Sequence, residues 1–455
     1  MLKGVLVRVS LLLSLFLILT AGVYADEVIY YHAPSELPYV SPGMNSAGFW
    51  IGRHPQADRL VMNFSQVEAF NANNRKEGLV DDLLKFPDKY DGAKLKKEIG
   101  DIVESFKWRE LYKKDGTKID ESFSAAQVEI SNISSIPASV NVRYGFISQW
   151  ADERLLPTDE VLSVKAADVD FDELQNSGLE PGTPVVILHQ DKTGGWLFVK
   201  DRVASGWVRA GNVALATKDI FNEHLRRRDS IVVVGARADI YAERERLHFV
   251  AAVRMGTRFL YKNTVGRVVE IAFPVRQPDG NVKFVSGFMS ADDVSLSPLP
   301  LTARVILTQA FKLLGAPYGW GDAHGRQDCS RFIEMVFASV GVEMPRNSAE
   351  QGKVGISLAE FDDAVAKEAR LKLLNDKALS ALTILRLKGH IVLYLGMVNG
   401  VPYAIHETWG YREKTPEGER TRVIGRVAVT DLSLGDSSSK GSLLDRIIDV
   451  RLIDK

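Results

Sequence analysis

Pro317-Tyr318-Gly319-Trp320-Gly321 and, a short loop later, Gln327-Asp328-Cys329-Ser330-Arg331-Phe332 form the stretch on which the reading of this chain turns. Cys329 is the only cysteine in 455 residues. A single cysteine closes no intramolecular disulfide, which leaves an inert buried thiol, an intermolecular link or a nucleophile. Free cysteines are most often buried and inert, but the polar neighbours Asp328 and Ser330 argue against that here. Two strand-like runs downstream each carry a histidine: Gly389-His390-Ile391-Val392-Leu393-Tyr394-Leu395-Gly396 and Tyr403-Ala404-Ile405-His406. A thiol with two histidines has the composition of a nucleophile, its base and an orienting group.

Local patterning places these groups. From Thr302 to Gly315 the apolar residues Val305, Ile306, Ala310, Leu313 and Leu314 recur at helical spacing, and Ala316-Pro317 breaks the run. Phe332, Ile333, Val336, Phe337 and Val340 predict a second helix that opens at Cys329 and ends at Gly341. A thiol in a first helical turn faces unpaired N–H groups and the positive end of the dipole. Both are expected to favour thiolate, and the same N–H groups suit an oxyanion.

The histidines meet only if they share a face of one hairpin. A two-residue turn at Asn399-Gly400 would pair Val398 with Val401 and send His406 away, unless a bulge compensates. We therefore expect a three-residue loop, Val398-Asn399-Gly400, with Met397 opposite Val401 and a left-handed Gly400. His406 would then oppose Val392, diagonal to His390. Glu407, on the other face, is the orienter if that register fails. His324 is a competing base, but it lies in a loop, which holds a base less firmly than a strand. His32, His54, His189, His224 and His248 are scattered without ligand spacing, so no metal site and no cofactor are predicted.

The remainder of the chain is organised around this stretch. Lys3 and Arg8, the apolar run Leu11 to Thr20 and Val23-Tyr24-Ala25 predict a signal peptide over residues 1–25, too short to span a bilayer. No cysteine follows it, which excludes lipoprotein processing. Export to a periplasm, cell wall or exterior is expected, with no stable membrane anchor. The 57 basic and 58 acidic residues give a formal net charge of -1, no sign of a nucleic-acid partner. Helical spacing over Phe64–Phe70 and Leu95–Trp108 predicts a helical N-terminal domain. Short strands follow, broken by turns: Val185 to His189, Trp196 to Val199, Gly206-Trp207-Val208, and a fainter second set around Phe259-Leu260-Tyr261 and Gly287-Phe288-Met289.

Together these motifs resemble the NlpC/P60 family of cell-wall peptidases, a branch of the papain-like cysteine peptidases. Tyr318-x-Trp320-Gly321, Asp328-Cys329-Ser330, Pro345-Arg346-Asn347-Ser348 with Gln351, Gly389-His390 and Ile405-His406 carry the resemblance, over roughly residues 300 to 430. The β pattern before them resembles bacterial SH3-like barrels. The fold class implied is multidomain α+β: an N-terminal stabilising domain at 26–135, SH3-like barrels at 136–225 and 226–298, and a papain-like NlpC/P60 domain at 299–455.

The resemblance implies Cys329 as nucleophile, His390 as general base, His406 as the orienting third member and Tyr318 as an oxyanion donor. Asp328 and Ser330 would grip the free amino end of a stem peptide, with Trp320 and Arg331 also expected at the substrate. Two positions depart from the family pattern. Arg331 stands where glycine is usual, and is expected to narrow or recharge the site entrance; Asp322 replaces the last glycine of Trp-Gly-Gly. The implied reaction is hydrolysis of the γ-D-glutamyl–diamino acid bond in peptidoglycan stem peptides or muropeptides with a free N-terminal L-Ala. An amidase acting on the muramoyl–L-alanine bond and a non-catalytic wall-binding SH3 protein are the alternatives. Nothing in the residues points to a protein partner.

Overall fold

The computed structural model describes residues 30–455 apart from Trp108 and Ala167, so the expected leader at 1–25 lies outside the described residues. The described residues form a mixed α+β protein with three seven-stranded sheets and two two-stranded ones. The sheet that carries the site runs, from edge to edge, Tyr31–His32, Gly418–Asp431, Val401–Thr415, His390–Val398, Thr383–Leu387, Ile447–Leu452 and Ile356–Glu360. Helices Ala303–Lys312 and Cys329–Ala338 share one apolar core with it, in which Ile306, Phe332, Ile333, Val336, Phe337, Ile391, Leu393 and Ile405 are fully buried. Thr302 caps the first helix by accepting from Val305 N–H, and Asp328 caps the second by accepting from Arg331 N–H.

The other two sheets are antiparallel. One orders Val213–Ala216, Arg143–Ile147, Pro184–Gln190, Trp196–Lys200, Ser205–Arg209, Ala151–Arg154 and Gln175–Leu179. The other orders Phe249–Arg254, Arg237–Tyr241, Val282–Ser290, Val268–Arg276, Arg258–Val265, Ser230–Val233 and Val294–Ser295. Alternation along these strands buries Val185, Ile187 and Val199 in one core and Ile231, Val233, Ile271 and Phe273 in the other.

The N-terminal stretch differs from the expected single helical unit. Its buried side chains are divided among several cores, each shared with later parts of the chain. Leu37, Met44, Trp50, Met62 and Val67 complete the core beneath the first sheet, where Met62 also bridges to Leu301. Leu95 and Ile99 of helix Gly92–Lys107 instead pack on Leu188, Trp196, Phe198 and Trp207 of the second sheet, and Val103 and Phe106 on Leu162 and Leu174. One narrow apolar stripe on each helix cannot close on itself, so each is buried against other elements of the chain.

The decisive hairpin also corrects an expectation. Val398 pairs with Val401, so the turn is the two-residue Asn399-Gly400, with φ of 51° and 79°. Asn-Gly tolerates positive φ at both central positions, which is what the tight turn requires. Parity is restored higher up. Gly396 pairs with Tyr403 while Tyr394 pairs with Ala404, leaving Leu395 as an extra residue in a bulge. Gly396 has φ 116°, open to glycine alone. Leu393 then faces Ile405, and His406 returns to the face of His390.

Candidate active site

Cys329 is half-buried at the start of its helix, against strand His390–Val398. The backbone N–H of Ile391, the residue after His390, points at its sulfur, as does that of Ser330. His390 Nε2 lies 2.7 Å from His406 Nδ1, with the rings edge to face at 4.9 Å. His406 is fully buried, and its Nε2 lies 2.9 Å from Thr430 Oγ1. His390 thus spends Nε2 on His406, so Nδ1 is the atom left for a thiol proton. For Nδ1 to be an acceptor, Nε2–H must donate to His406 Nδ1, and His406 Nε2–H must donate to Thr430. One tautomer of each ring satisfies the whole row.

The charge state is not the expected one. Burial, and next the Asp328 carboxylate, push the Cys329 thiol up to about 12, against the smaller opposing pull of the Ile391 and Ser330 N–H groups and Arg346. The Asp328 that caps the helix therefore acts against the N–H groups that face the sulfur. Burial pushes His390 down to about 3 and holds His406 well below its ordinary value, with Arg446 adding to both. Nucleophile and base rest as neutral thiol and neutral imidazole, so the proton must move as the sulfur attacks.

Tyr318 is held by its N–H to Gly425 O at 2.9 Å. Burial, then the proximity of Cys329 and Asp328, raises its hydroxyl well above the ordinary value, so it stays a donor. Trp320 is at the rim. It meets Phe171 at 5.3 Å, and Phe171 also meets Trp409 at 4.9 Å and Tyr318 at 6.3 Å. Trp409 Nε1–H donates to Asp170 at 3.0 Å, and Tyr30 O–H donates to Asp168 at 2.7 Å. The loop before strand Gln175–Leu179 thus forms an aromatic and acidic wall over the tyrosine.

Asp328 and Ser330 are joined through Arg346. Its Nη1 donates to Asp328 Oδ1 at 3.1 Å and Ser330 Oγ at 2.9 Å, and its Nη2 to Asp328 Oδ2 at 2.7 Å. Arg331 is not at the entrance, which corrects the expectation drawn from its charge. Its Nε donates to Asp322 at 2.7 Å, Nη1 to Glu334 at 2.7 Å, and Nη2 to Ser177 Oγ and Gly178 O at 2.8 and 3.2 Å. Every side-chain nitrogen is engaged by one of these partners, and the residue is buried. Glu407 faces Gln327, whose Nε2–H donates to it at 3.1 Å, and burial pushes its carboxyl up to about 9. Nothing in that contact reaches His390.

Residues 315–406 match the NlpC/P60 family and residues 162–209 match the SH3 domain (SH3b1 type). The chain carries an NlpC/P60 domain. Over 108 residues it is 31% identical to the γ-D-glutamyl-L-lysine dipeptidyl-peptidase of Bacillus subtilis (strain 168). That match spans 21% of this chain and 36% of the relative, about a third of its length. The structure of an NlpC/P60 endopeptidase from Photobacterium damselae subsp. piscicida superposes with a TM-score of 0.74 at 19% identity. It covers 93% of this chain and 99% of that one, so the likeness of fold extends well beyond the NlpC/P60 domain.

Thr430, Asp322 and the Phe171 wall were not assigned roles in the sequence reading. Strand alternation, once His406 is placed, brings Thr430 to the same face through the Ala404–Thr430 and His406–Ala428 pairs. No pattern in the sequence announces the wall, because its contacts join positions far apart in the chain. Among the described residues no cluster of His, Cys, Asp and Glu could hold a metal ion, and no helix is long and apolar enough to cross a membrane.

Proposed function

We propose that this protein is a cysteine peptidase hydrolysing the γ-D-glutamyl–diamino acid bond of peptidoglycan stem peptides, with a preference for a free N-terminal L-Ala. The observation that carries the chemistry is the 2.7 Å contact between His390 Nε2 and His406 Nδ1, which leaves His390 Nδ1 for the thiol. As the substrate carbonyl approaches, Cys329 loses its proton to His390 Nδ1 and the sulfur attacks carbon. Positive charge on His390 is shared with His406, whose Nε2 keeps its proton and goes on donating it to Thr430. The oxyanion faces the Cys329 N–H at the helix start and the Tyr318 hydroxyl. His390 returns the proton to the departing amine, and water, deprotonated in turn by His390, cleaves the thioester.

Bond choice rests on the relative's name and on the wall. The similar B. subtilis protein is a γ-D-glutamyl-L-lysine dipeptidyl-peptidase. Phe171 packs on Tyr318 and Trp320, and Asp168 and Asp170 stand beside it in the same loop; this supports a preference for a short peptide ending in an ammonium group over an intact glycan-linked stem. In this proposal residues 136–225 and 226–298 are SH3-like units that shape access, residues 299–455 are the catalytic domain, and the protein works outside the cytoplasm in wall turnover. Digestion of defined stem peptides followed by mass spectrometry tests it. Free L-Ala-γ-D-Glu is expected; release of an intact stem peptide from muropeptides would instead mark an amidase.

A further inference from the structure

Asp322 is fully buried and surrounded by guanidinium groups from three parts of the chain. Arg331 of the cysteine helix donates to it at 2.7 Å, Arg254 of strand Phe249–Arg254 lies 3.2 Å away, and Arg346 lies at 3.5 Å. Burial alone would raise its carboxyl, but Arg331, Arg346 and Arg254 overcome that and hold it ionised. Its Oδ2 also accepts the backbone N–H of Gly178, at 3.0 Å. Strand Gln175–Leu179 is therefore bound at several points. Ser177 Oγ accepts from Arg331 at 2.8 Å and from Arg346 at 3.1 Å, Gly178 O accepts from Arg254 at 3.3 Å, and Gln175 Nε2–H donates to Gly321 O at 3.1 Å. The approach is tight. A Cβ on Gly178 would lie 2.3 Å from Trp150 and 2.9 Å from Asp322.

Asp322 and Arg331 are the two positions that depart from the family pattern, and they pair with each other. Arg346, which belongs to the pattern, reaches from the same cluster to Asp328 beside the nucleophile. Four residues before Gln175 stands Phe171, the centre of the wall over Tyr318 and Trp320. Its successor Asp172 is tied to Arg154, which also donates to Gln175 Oε1 at 3.0 Å. One continuous segment thus carries the wall at one end and the buried ion cluster at the other.

We infer that Asp322 and Arg331 are positioning residues that set substrate selectivity, by locking strand Gln175–Leu179 and the Phe171 loop over the cleft mouth. They touch no substrate. An N-terminally free stem peptide fits beneath the locked wall, and a blocked or glycan-linked one is excluded by it. This rests on the peptidase reading above, and the test separates the two.

The double variant Asp322→Gly with Arg331→Gly installs the glycines of the family pattern. The positive φ of Asp322, 69°, suits glycine. Two readouts are taken on the full chain. The first is the ratio of kcat/KM for L-Ala-γ-D-Glu-L-Lys to that for its N-acetyl form. The expected result is a ratio at least tenfold lower, through faster cleavage of the blocked peptide, with kcat on the free peptide within about threefold of wild type. A merely structural role would lower both rates together and leave the ratio unmoved, which would overturn the inference. The second is amide hydrogen exchange over residues 168–179, expected at least tenfold faster. Unchanged exchange overturns the locking role whatever the enzyme cleaves. If the double variant does not fold, Ser177→Ala removes the shared acceptor alone, and an unaltered ratio there is equally decisive. Wild-type protein that cleaves neither peptide refutes the peptidase reading, while the exchange experiment still judges the lock.

Discussion

Replacing Thr430 by valine tests the histidine row without touching nucleophile or base. The two side chains have nearly the same shape, so the change removes one hydroxyl from a site that is 1% exposed. His406 Nε2 lies 2.9 Å from that hydroxyl, and the ring is fully buried. An unsatisfied buried N–H costs about 1–3 kcal/mol. The ring escapes by moving its proton to Nδ1, which faces His390 Nε2. His390 Nε2 must then accept, so the His390 proton moves to Nδ1, where it opposes the thiol and blocks proton transfer. If the productive tautomer loses about 1–3 kcal/mol, kcat should fall about 5- to 150-fold. KM should change little, because no substrate contact is lost. Thr430→Ser keeps the oxygen and should stay within about threefold of wild type. Steady-state kinetics on a defined stem peptide give the first measurement, and imidazole 15N shifts of His390 and His406 give the tautomers directly. A valine variant with wild-type kcat and unchanged 15N shifts would sink the tautomer argument.

Cys329→Ala should abolish hydrolysis with the melting temperature nearly unchanged, checked by peptide release and calorimetry; residual turnover above a trace would mean another nucleophile. Gly396→Val places a β-branched residue at φ 116° and should destabilise the fold by about 1–3 kcal/mol while uncoupling His406 from His390, read by denaturant unfolding and kcat. Glu407 is held protonated up to about 9 by burial, while the unfolded carboxyl ionises near its ordinary value. Between those values the folded state binds the extra proton, so stability falls as pH rises through that window. Glu407→Gln should therefore melt higher than wild type at pH 8 but not at pH 4, and equal shifts at both would contradict the assignment. The buried histidines act in the opposite sense. With His390 depressed to about 3 and His224 to about 4, the unfolded state binds more protons below about 6.5, so stability should drop as pH falls from there.

The sequence was most legible where a local rule acted alone. Helical spacing after Cys329 placed the thiol in a first turn. Parity then reduced the question of His406 to one extra residue. It did not say where that residue would sit, and the turn at Asn399-Gly400 and the bulge at Gly396 satisfy the same count by another route. Arg331 was misread because its charge is visible in the sequence and its partners are not. Asp322, Glu334 and Ser177 come from a loop, its own helix and a separate sheet. The thiol's ionisation was misjudged for a related reason, since the helix terminus is a local feature and desolvation belongs to the assembled cleft. The N-terminal helices were found, but which sheet would bury each one depends on contacts no periodicity encodes.

The parallel pairing of Tyr31–His32 with strand Gly418–Asp431 brings an early segment of the chain beside one nearly at its end. Arg422 meets the His32 carbonyl across 390 residues. Trp50, Met62 and Val67 are buried in the core that the catalytic sheet and its helices complete, so this early segment is fully housed only when those distant residues have come together. Folding that depends on such distant contacts is slow, because the closure entropy is spent before any contact rewards it. The two intervening β units can mature meanwhile as separate cooperative bodies. The hydrolytic centre needs His406 and Thr430 as well as Cys329, so a polypeptide truncated between them carries the cysteine without the completed enzyme.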